Sequence, residues 1–522
     1  MGLPPAQVWT REQVAARILA GETLLVLHGN LVRVPPSWLS LHPGGNLSIL
    51  HYVGRDATDE VEAFHSPETL QRMKGYVIGQ VEMGEDGWAP FVPPYASGWV
   101  RKKGTDGKME WYNEARAVKA TTETEASILL VRDEATPTGL TPTMADLEPA
   151  PNSLSLKHEK LHADAYKELH QRVKDAGLYQ CRYVTGYGPE VVRYTLLAVV
   201  SAICYSKGWL IPSALCLGLF WQQLTFAAHD LGHVGVTHDW TLDRLISIFV
   251  ADFLGGLSIG WWVNNHNVHH LVPNHPSHDP DIQHLPFFAI SPVFFKSLWS
   301  SYYNREMTFD APSKFFLSMQ HNLFYVVLSL ARFNLYVLSY GYLLKTAFEP
   351  RKARGGRWWW WAEVFALGLY FTWLGAVLKG CGSWTNILTY LLVSHIAASP
   401  VHVQIVLSHF SRSTADLGPV ESFFARQLRT TVDVICSESI EFIHGGLHLQ
   451  VTHHLFPRLP RHNLREASLI VKAFAKERGL EYAEFGWMEG NEEVRGVLKQ
   501  VADQMKIIGM VADSEVREAM KS

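Results

Sequence analysis

Three clusters of polar residues in the chain have a spacing that could bind metal ions. Residues three or four apart lie on the same face of a helix, so their side chains can converge on one ion. Seven histidines exceed the three or four ligands of a single tetrahedral zinc, and no HExxH motif supplies a hydrolytic base. The clusters therefore predict two metal ions. Their members are His229 and His233, then His266, His269 and His270, and finally Gln450, His453 and His454.

The third cluster begins with glutamine where the other two begin with histidine. Gln450 offers a neutral carbonyl oxygen and an amide donor, so it could ligate weakly or orient a metal-bound water, and either role would make it a catalytic residue. A further ligand is expected outside the clusters, with His409 as the candidate and His402 as its competitor. The histidines for which we predict a loop role and no ligation are His275, His278, His284, His444, His448 and His462.

Long apolar runs must position these clusters beside a membrane. Residues 209–228 and 358–378 each approach the roughly 20 residues that span hydrocarbon. With the shorter run 194–205 and the interrupted run 384–407, they predict four spans in two hairpins. Two spans precede the first two clusters and two more separate these from the third cluster. All three clusters should therefore meet on one side of the membrane.

A basic segment before the third span indicates which side that is. Arg351, Lys352, Arg354 and Arg357 precede this span, and an excess of positive charge is typical of cytoplasmic loops. The clusters are therefore expected to face the cytosol. Residues 315–344 are also apolar but contain polar side chains, so we predict that they lie at the interface or pack against the bundle.

A separate pair of histidines occurs near the N-terminus. His42 begins the sequence His-Pro-Gly-Gly, and His65 follows 23 positions later. Glycine permits a tight turn that presents the first ring. Two imidazoles on opposite faces of a haem give an iron that transfers electrons and leaves no site for oxygen. The pair therefore predicts a haem site.

Composition divides the chain into three parts. Residues 1–88 are predicted to form a small mixed domain, residues 89–157 a disordered linker rich in Thr, Pro and acidic residues, and residues 158–522 a membrane domain. The N-terminus lacks the apolar core of a signal peptide. The formal charge of -4 gives no indication of nucleic-acid binding. Five scattered cysteines argue against a zinc-thiolate site or a disulfide framework.

Residues 7–85 resemble the cytochrome b5 fold, and this resemblance implies His42 and His65 as the axial ligands of haem b. An acidic rim around the site could dock a basic reductase, for which NADH-cytochrome b5 reductase is expected. An ordinary solvated helix face is the alternative for this rim. Its residues would be Asp56, Asp59, Glu60 and Glu62.

The order of this domain, HDLGH, HNVHH and QVTHHLFPRLPRH resembles the cytochrome b5-fused front-end desaturases, in which a glutamine usually opens the third box. The resemblance implies an α+β cytochrome b5-like domain followed by an all-α membrane desaturase domain with about four transmembrane helices and a cytosolic helical cap. A haem donor requires a redox metal, so the cluster metals are expected to be two non-haem irons that activate O2. The expected location is the endoplasmic reticulum membrane.

The HPGG context, the sequence WAPFVPP and the long linker most resemble fungal sphingolipid Δ8-desaturases. That likeness implies a double bond at C8 of a ceramide long-chain base. One alternative is a front-end Δ5 or Δ6 fatty-acyl desaturase. The other is a fatty-acid hydroxylase with a fused b5 domain, although a glutamine at the start of the third box would be atypical of that enzyme. Two hypotheses lie outside the family: a membrane zinc hydrolase with an added haem domain, and a non-catalytic haem protein that serves a partner.

Overall fold

The computed structural model of the chain describes residues 7–104, 106–115, 141–151, 153–349 and 356–519. An α+β domain at the N-terminus is followed by a domain built almost entirely of helices. This order confirms the predicted fold class.

The N-terminal domain is a four-stranded sheet with short helices. Strands Thr23–Leu27 and Asn30–Val34 form an antiparallel hairpin, and the consecutive apolar residues Leu24, Leu25 and Val26 of the first strand are buried. Its two-residue turn has positive φ at both positions, 51° at His28 and 72° at Gly29, which matches the twist of a hairpin. In sheet order the strands are Val8–Trp9, Val77–Val81, Asn30–Val34 and Thr23–Leu27. The helices are Arg11–Leu19, Pro36–Leu39, Leu47–Leu50, Thr58–Phe64 and Pro67–Met73.

The segment that follows differs from the predicted disordered linker in its described parts. Strands Trp99–Lys103 and Met109–Asn113 form an antiparallel hairpin, and Met144–Leu147 forms a short helix. Phe91 and Leu147 are fully buried in the core of the N-terminal domain. Apolar residues at the two ends of the segment therefore bury enough surface to be ordered, whereas residues 116–140 lie outside the described residues.

A long helix, Leu156–Asp175, precedes the apolar helices. Its buried residues Tyr166, Leu169 and Val173 recur at helical spacing and pack against helix Leu464–Glu477 and residues around Leu455. This helix is therefore packed against the region of the third cluster and is not an isolated connection between the two domains.

Three helices among the described residues are long and apolar enough to cross a membrane: Leu210–Gly232, Arg357–Gly380 and Trp384–Leu407. Two bent pairs raise the number to five if each pair is one span. The pairs are Trp240–Leu254 with Ile259–Leu271 and Gln320–Ser329 with Ala331–Thr346, bent by 111° and 67°.

The first and last predicted spans differ from continuous membrane-spanning helices. The run 194–205 lies in helix Gly188–Ser206, whose exposed side chains include Leu196 and Ile203. This helix is not one of the three that are long and apolar enough to cross a membrane. Pro400 begins the second part of the last span, where the sequence predicts an interruption. The region 315–344 is the second bent pair and not a straight span.

The helical domain contains further helices and two short sheets. The helices are Trp240–Ser247, Ile248–Leu254, Ile259–Leu271, Ala311–Ser318, Phe423–Thr430, Glu441–His444, Gln450–Leu455, Leu464–Glu477 and Trp487–Ala519. Strand Leu298–Ser300 pairs antiparallel with Arg305–Met307, and Asp433–Ile435 pairs parallel with Glu484–Gly486.

Candidate haem and metal sites

His42 and His65 face each other in the N-terminal domain, with ring centroids 6.0 Å apart and an interplanar angle of 44°. Nδ1 of His42 lies 2.8 Å from the carbonyl oxygen of Gly45, and Nδ1 of His65 lies 2.9 Å from that of Val61. Because a carbonyl oxygen can only accept, each Nδ1 carries the hydrogen and leaves the lone pair on Nε2. A metal–imidazole bond is about 2 Å and the ring centre lies about 1 Å behind the nitrogen, so one ion fits between these rings.

The local sequence explains this presentation. Gly45 adopts φ 87°, a conformation that favours glycine, and its carbonyl thereby reaches back to the His42 ring. His65 is the first residue after helix Thr58–Phe64. Loss of hydration lowers the pKa of His42 and lowers the pKa of His65 to about 4. Both rings are therefore neutral near pH 7, which is the form that binds iron.

The predicted acidic rim is not a solvated surface. Asp59 and Glu60 are each only 6% exposed, because the helical domain covers them. Arg426 lies close enough to Glu60, and Lys167 to Asp59, to affect their charge. Loss of hydration raises the pKa of Asp59 to about 8. In this arrangement Asp56 is exposed and Glu62 is half-buried.

The seven cluster histidines and His409 converge beside the ends of the apolar helices. Helix Leu210–Gly232 carries the first cluster at its C-terminal end, and His409 lies two residues beyond span Trp384–Leu407. The potential ligand atoms form two groups, within each of which they lie no more than 4.8 Å apart. The groups are His229, His233, His266 and His453, and His269, His409 and His454.

His270 lies between the two groups. Its Nε2 is 3.1 Å from Nε2 of His266 and 3.1 Å from Nε2 of His453, and its ring stacks on His454 with centroids 4.1 Å apart. At this distance one neutral ring can donate an Nε2–H to the Nε2 of another, and a shared cation would also hold the three nitrogens together. The structure therefore brings together all eight histidines that the sequence singles out as metal ligands.

Acceptor groups hold the outer nitrogen of several of these rings. Such a contact fixes the tautomer and leaves Nε2 for a metal. Asp279 and Asp281 lie in the loop after the second cluster. Helical spacing does not predict their contacts with the cluster histidines, because the loop is irregular. The Nδ1 contacts are His229 to Asp230 at 3.3 Å, His266 to Asp281 at 3.5 Å, His269 to Asp279 at 3.0 Å, His409 to the Thr430 carbonyl at 3.2 Å and His454 to Gln427 Oε1 at 2.9 Å.

The donor set fits metal binding on a second ground. Burial holds the pKa of His453 and of His454 well below its usual value, so both rings are neutral. Several inward nitrogens are buried without a hydrogen-bond partner among the described residues, and an unsatisfied buried polar atom costs about 1–3 kcal/mol. A bound metal would take the one lone pair that each neutral ring offers. The unpartnered nitrogens are Nε2 of His229, both ring nitrogens of His233, Nδ1 of His270 and Nε2 of His454.

Gln450 opens the helix Gln450–Leu455 one turn before His453 and His454. It is buried, and its Oε1 has no partner among the described residues. Both predicted roles, weak ligation and positioning of water, need such a free oxygen. His402 is buried within the last span and belongs to neither group, whereas His409 does.

The other histidines have contacts outside the two groups. His275 pairs with Asp416 at 3.3 Å and His278 contacts Ser301 at 2.9 Å. Cys436, Glu441 and His448 form a further potential ligand group, but Arg465 binds the Glu441 carboxylate directly. The guanidinium neutralises this carboxylate, so we assign no metal there.

Asp279→Asn is expected to weaken metal binding about 10- to 100-fold, because the amide keeps an acceptor oxygen but loses the charge that favours the His269 Nδ1–H tautomer. Metal content of the purified protein during titration with a chelator measures this loss. Asp239→Asn is the matched control, since Asp239 accepts hydrogen bonds from the amides of Thr241 and Leu242 and should leave metal content unchanged. Equal metal retention in both variants would contradict the positioning role.

Comparison with known proteins gives matches over both domains. The family model described as fatty acid desaturase matches residues 207–486, and the cytochrome b5-like heme/steroid binding domain matches residues 10–82. A Delta 8-(E)-sphingolipid desaturase of Emericella nidulans is 42% identical over 96% of this chain and 95% of its own length, and one of Komagataella phaffii is 40% identical over 96% and 94%. A Delta(8)-fatty-acid desaturase 2 of Arabidopsis thaliana is 34% identical over 65% of this chain and 75% of its own.

Proposed function

Because the chain belongs to the fatty acid desaturase family and carries a cytochrome b5-like domain, we propose that it introduces a Δ8 double bond into the long-chain base of a sphingolipid. The family is one of membrane oxidoreductases; the b5-like domain implies a haem and the desaturase domain implies iron. The full-length relatives named as Delta 8-(E)-sphingolipid desaturases support the substrate and a trans product.

The convergence of seven histidines in two groups, with His270 between them, carries the proposed chemistry. Two groups support two non-haem irons, held by the three clusters and His409. The overall reaction is R–CH2–CH2–R′ + O2 + 2 electrons + 2 H⁺ giving R–CH=CH–R′ + 2 H2O. When bound, the haem supplies single electrons and the non-haem iron supplies an O2-derived oxidant able to take hydrogen from an unactivated CH2.

The chain's own residues orient and enclose these sites. His42 and His65 would hold the haem, and a haem held by two imidazoles supplies electrons without binding O2. Asp230 and Asp279 fix the tautomers of His229 and His269. Trp262 covers the first group: its ring stacks on His266 at 4.4 Å and lies 5.3 Å from each of His229 and His233. An apolar ring at this position keeps bulk water from the reacting centre.

The electron source and the location belong to the same proposal. Two electrons per double bond would come from NADH-cytochrome b5 reductase through the haem. The basic segment that includes Arg357 supports a cytosolic position for the loop before the span Arg357–Gly380, and hence for the clusters and the N-terminal domain. The endoplasmic reticulum membrane would present both the lipid and the reductase.

Expression in a host that makes saturated long-chain bases is expected to give a new double bond at C8, located by mass spectrometry in the base and acyl fractions. His453→Ala, which removes one cluster histidine, serves as the inactive control. Unsaturation in the acyl fraction alone would reject the sphingoid-base substrate. It would favour an acyl lipid instead, in line with the fatty-acid desaturase name of the Arabidopsis relative. Zinc in place of iron, with no need for O2, would reject the redox chemistry.

A further inference from the structure

The helix Ile259–Leu271, which carries the second cluster, also forms the main contact with the N-terminal domain. Successive residues turn by 100°, so Asn264, Asn267, Val268 and Leu271 lie on one face, opposite the cluster histidines. We call these four residues the docking face. Three of the four non-histidine positions of Asn-Asn-His-Asn-Val-His-His therefore have a role of their own.

Each residue of the docking face touches the haem-binding half of the N-terminal domain. A Cβ added to Gly44 would lie 3.0 Å from the Asn267 amide nitrogen, and one added to Gly45 would overlap the amide of Asn264. Val268 is fully buried and packs beside Leu47. The glycines that follow His42 are thus needed for close approach of this helix as well as for the turn.

The rest of the contact is buried and specific. Leu271 is 5% exposed and packs in the cluster that contains Tyr52 of the N-terminal domain. The Tyr52 hydroxyl donates to the Leu271 carbonyl at 3.0 Å and accepts from Arg426 at 3.0 Å. Arg426 also donates to the Leu271 carbonyl at 2.9 Å. A charged side chain buried at a domain contact and saturated with hydrogen bonds holds a defined orientation and resists sliding.

This docked arrangement places one aromatic side chain between the two candidate sites. Phe64 is the chain neighbour of His65. Its ring centroid lies 5.8 Å from that of His270, edge to face at 82°, and 6.5 Å from that of His233. Two residues therefore connect the haem pair to the histidine groups without a break: His65 by its peptide bond to Phe64, and Phe64 by ring contact with His270.

We propose that the docking face fixes the N-terminal domain for electron delivery and that Phe64 is the positioning residue that bridges His65 and His270. This inference rests on the proposed function, in which the haem supplies the electrons. Each transfer oxidises ferrous haem iron to ferric and reduces one ferric non-haem iron to ferrous, and no bond forms or breaks. Two transfers supply one double bond. Close packing matters because electronic coupling decays steeply with every gap between donor and acceptor.

The test follows haem reoxidation in the purified full-length protein loaded with haem and iron. The haem is reduced beforehand, the protein is mixed with O2 and lipid substrate, and haem absorbance is recorded by stopped flow. Phe64→Leu, which removes the ring, is expected to slow reoxidation at least tenfold. Phe64→Tyr, which keeps the ring, should stay within threefold of the wild type. The haem spectrum, iron content and rate of haem reduction by the reductase should not change in either variant.

Two further variants control for loss of packing. Phe64→Met refills much of the same space without a ring and should reoxidise at a rate between those of Phe64→Leu and the wild type, with rates normalised to bound haem. Tyr76→Leu removes a half-buried ring from the turn Lys74–Tyr76 of the same domain and should reoxidise at the wild-type rate. Wild-type reoxidation rates in both Phe64→Leu and Phe64→Met would overturn the bridge. If the wild-type haem itself reoxidises without product formation, the proposed function fails instead.

Discussion

His65→Ala is expected to abolish haem binding and to lower desaturation at least a hundredfold, while the non-haem iron remains bound. The reason is geometric: one of the two rings 6.0 Å apart is removed, whereas the seven histidines of the two metal groups are left in place. Haem absorbance, total iron and double-bond yield, measured on the same preparation, check the three parts of this prediction.

A matched control removes another histidine from the same domain. His28 is exposed, lies in the hairpin turn and pairs with Glu62 at 3.2 Å. His28→Asn suits the positive φ at this position and should keep haem and activity. Full activity of His65→Ala without an added electron donor would contradict the proposal that the fused haem supplies the electrons. Loss of non-haem iron together with haem would show that the two sites are not independent in folding.

The histidine clusters could be predicted because their spacing is a local property of helices. His266 and His270 are one turn apart, and a helix brings them together wherever it lies in the fold. The order of spans and clusters then predicts a common side of the membrane, since two spans return the chain to the side from which it started. His409 follows from the same topology, because it leaves the last span next to the groups.

The residues that orient the histidines could not be found in this way. Asp279 and Asp281 lie in an irregular loop, and Gln427 reaches His454 from another helix. Their positions depend on tertiary packing, which has no periodic signal. The only hint is chemical: metal-bound histidines usually donate their second nitrogen to a carboxylate or carbonyl, so a DPD sequence shortly after a cluster is a reasonable place to search.

The docked interface explains the error in the acidic rim. Charged residues on a short helix are usually solvated, and Asp59 and Glu60 fit that pattern within the N-terminal domain alone. In the folded protein they are buried beside Lys167 and Arg426, which come from distant parts of the chain. A sequence-based prediction that treats each domain separately has no means of anticipating such partners. The same limit applies to Asn264 and Asn267. In the sequence they lie among the histidines of the second cluster, but in the structure they contact the N-terminal domain.

His409→Ala is expected to remove non-haem iron from the second group and to abolish desaturation, a loss of at least a hundredfold. His409 is one of only three histidines in that group, its ring centroid lies 4.5 Å from that of His269 and 4.8 Å from that of His454, and its Nδ1 contacts the Thr430 carbonyl. Loss of one ligand leaves two imidazoles in this group, which are too few to retain an iron ion when the protein is desalted. Iron analysis after desalting, with the haem quantified separately, measures the loss.

His402→Ala is the matched control, because His402 is also a buried histidine close to the end of the same span but belongs to neither group. It should retain both haem and non-haem iron. The comparison separates ligation from packing: both substitutions delete a buried imidazole near the same membrane boundary, so a shared loss of stability would affect both alike. Iron loss in His402→Ala with retention in His409→Ala would reverse the assignment and would mean that the helix carrying His402 moves toward the groups when metal binds.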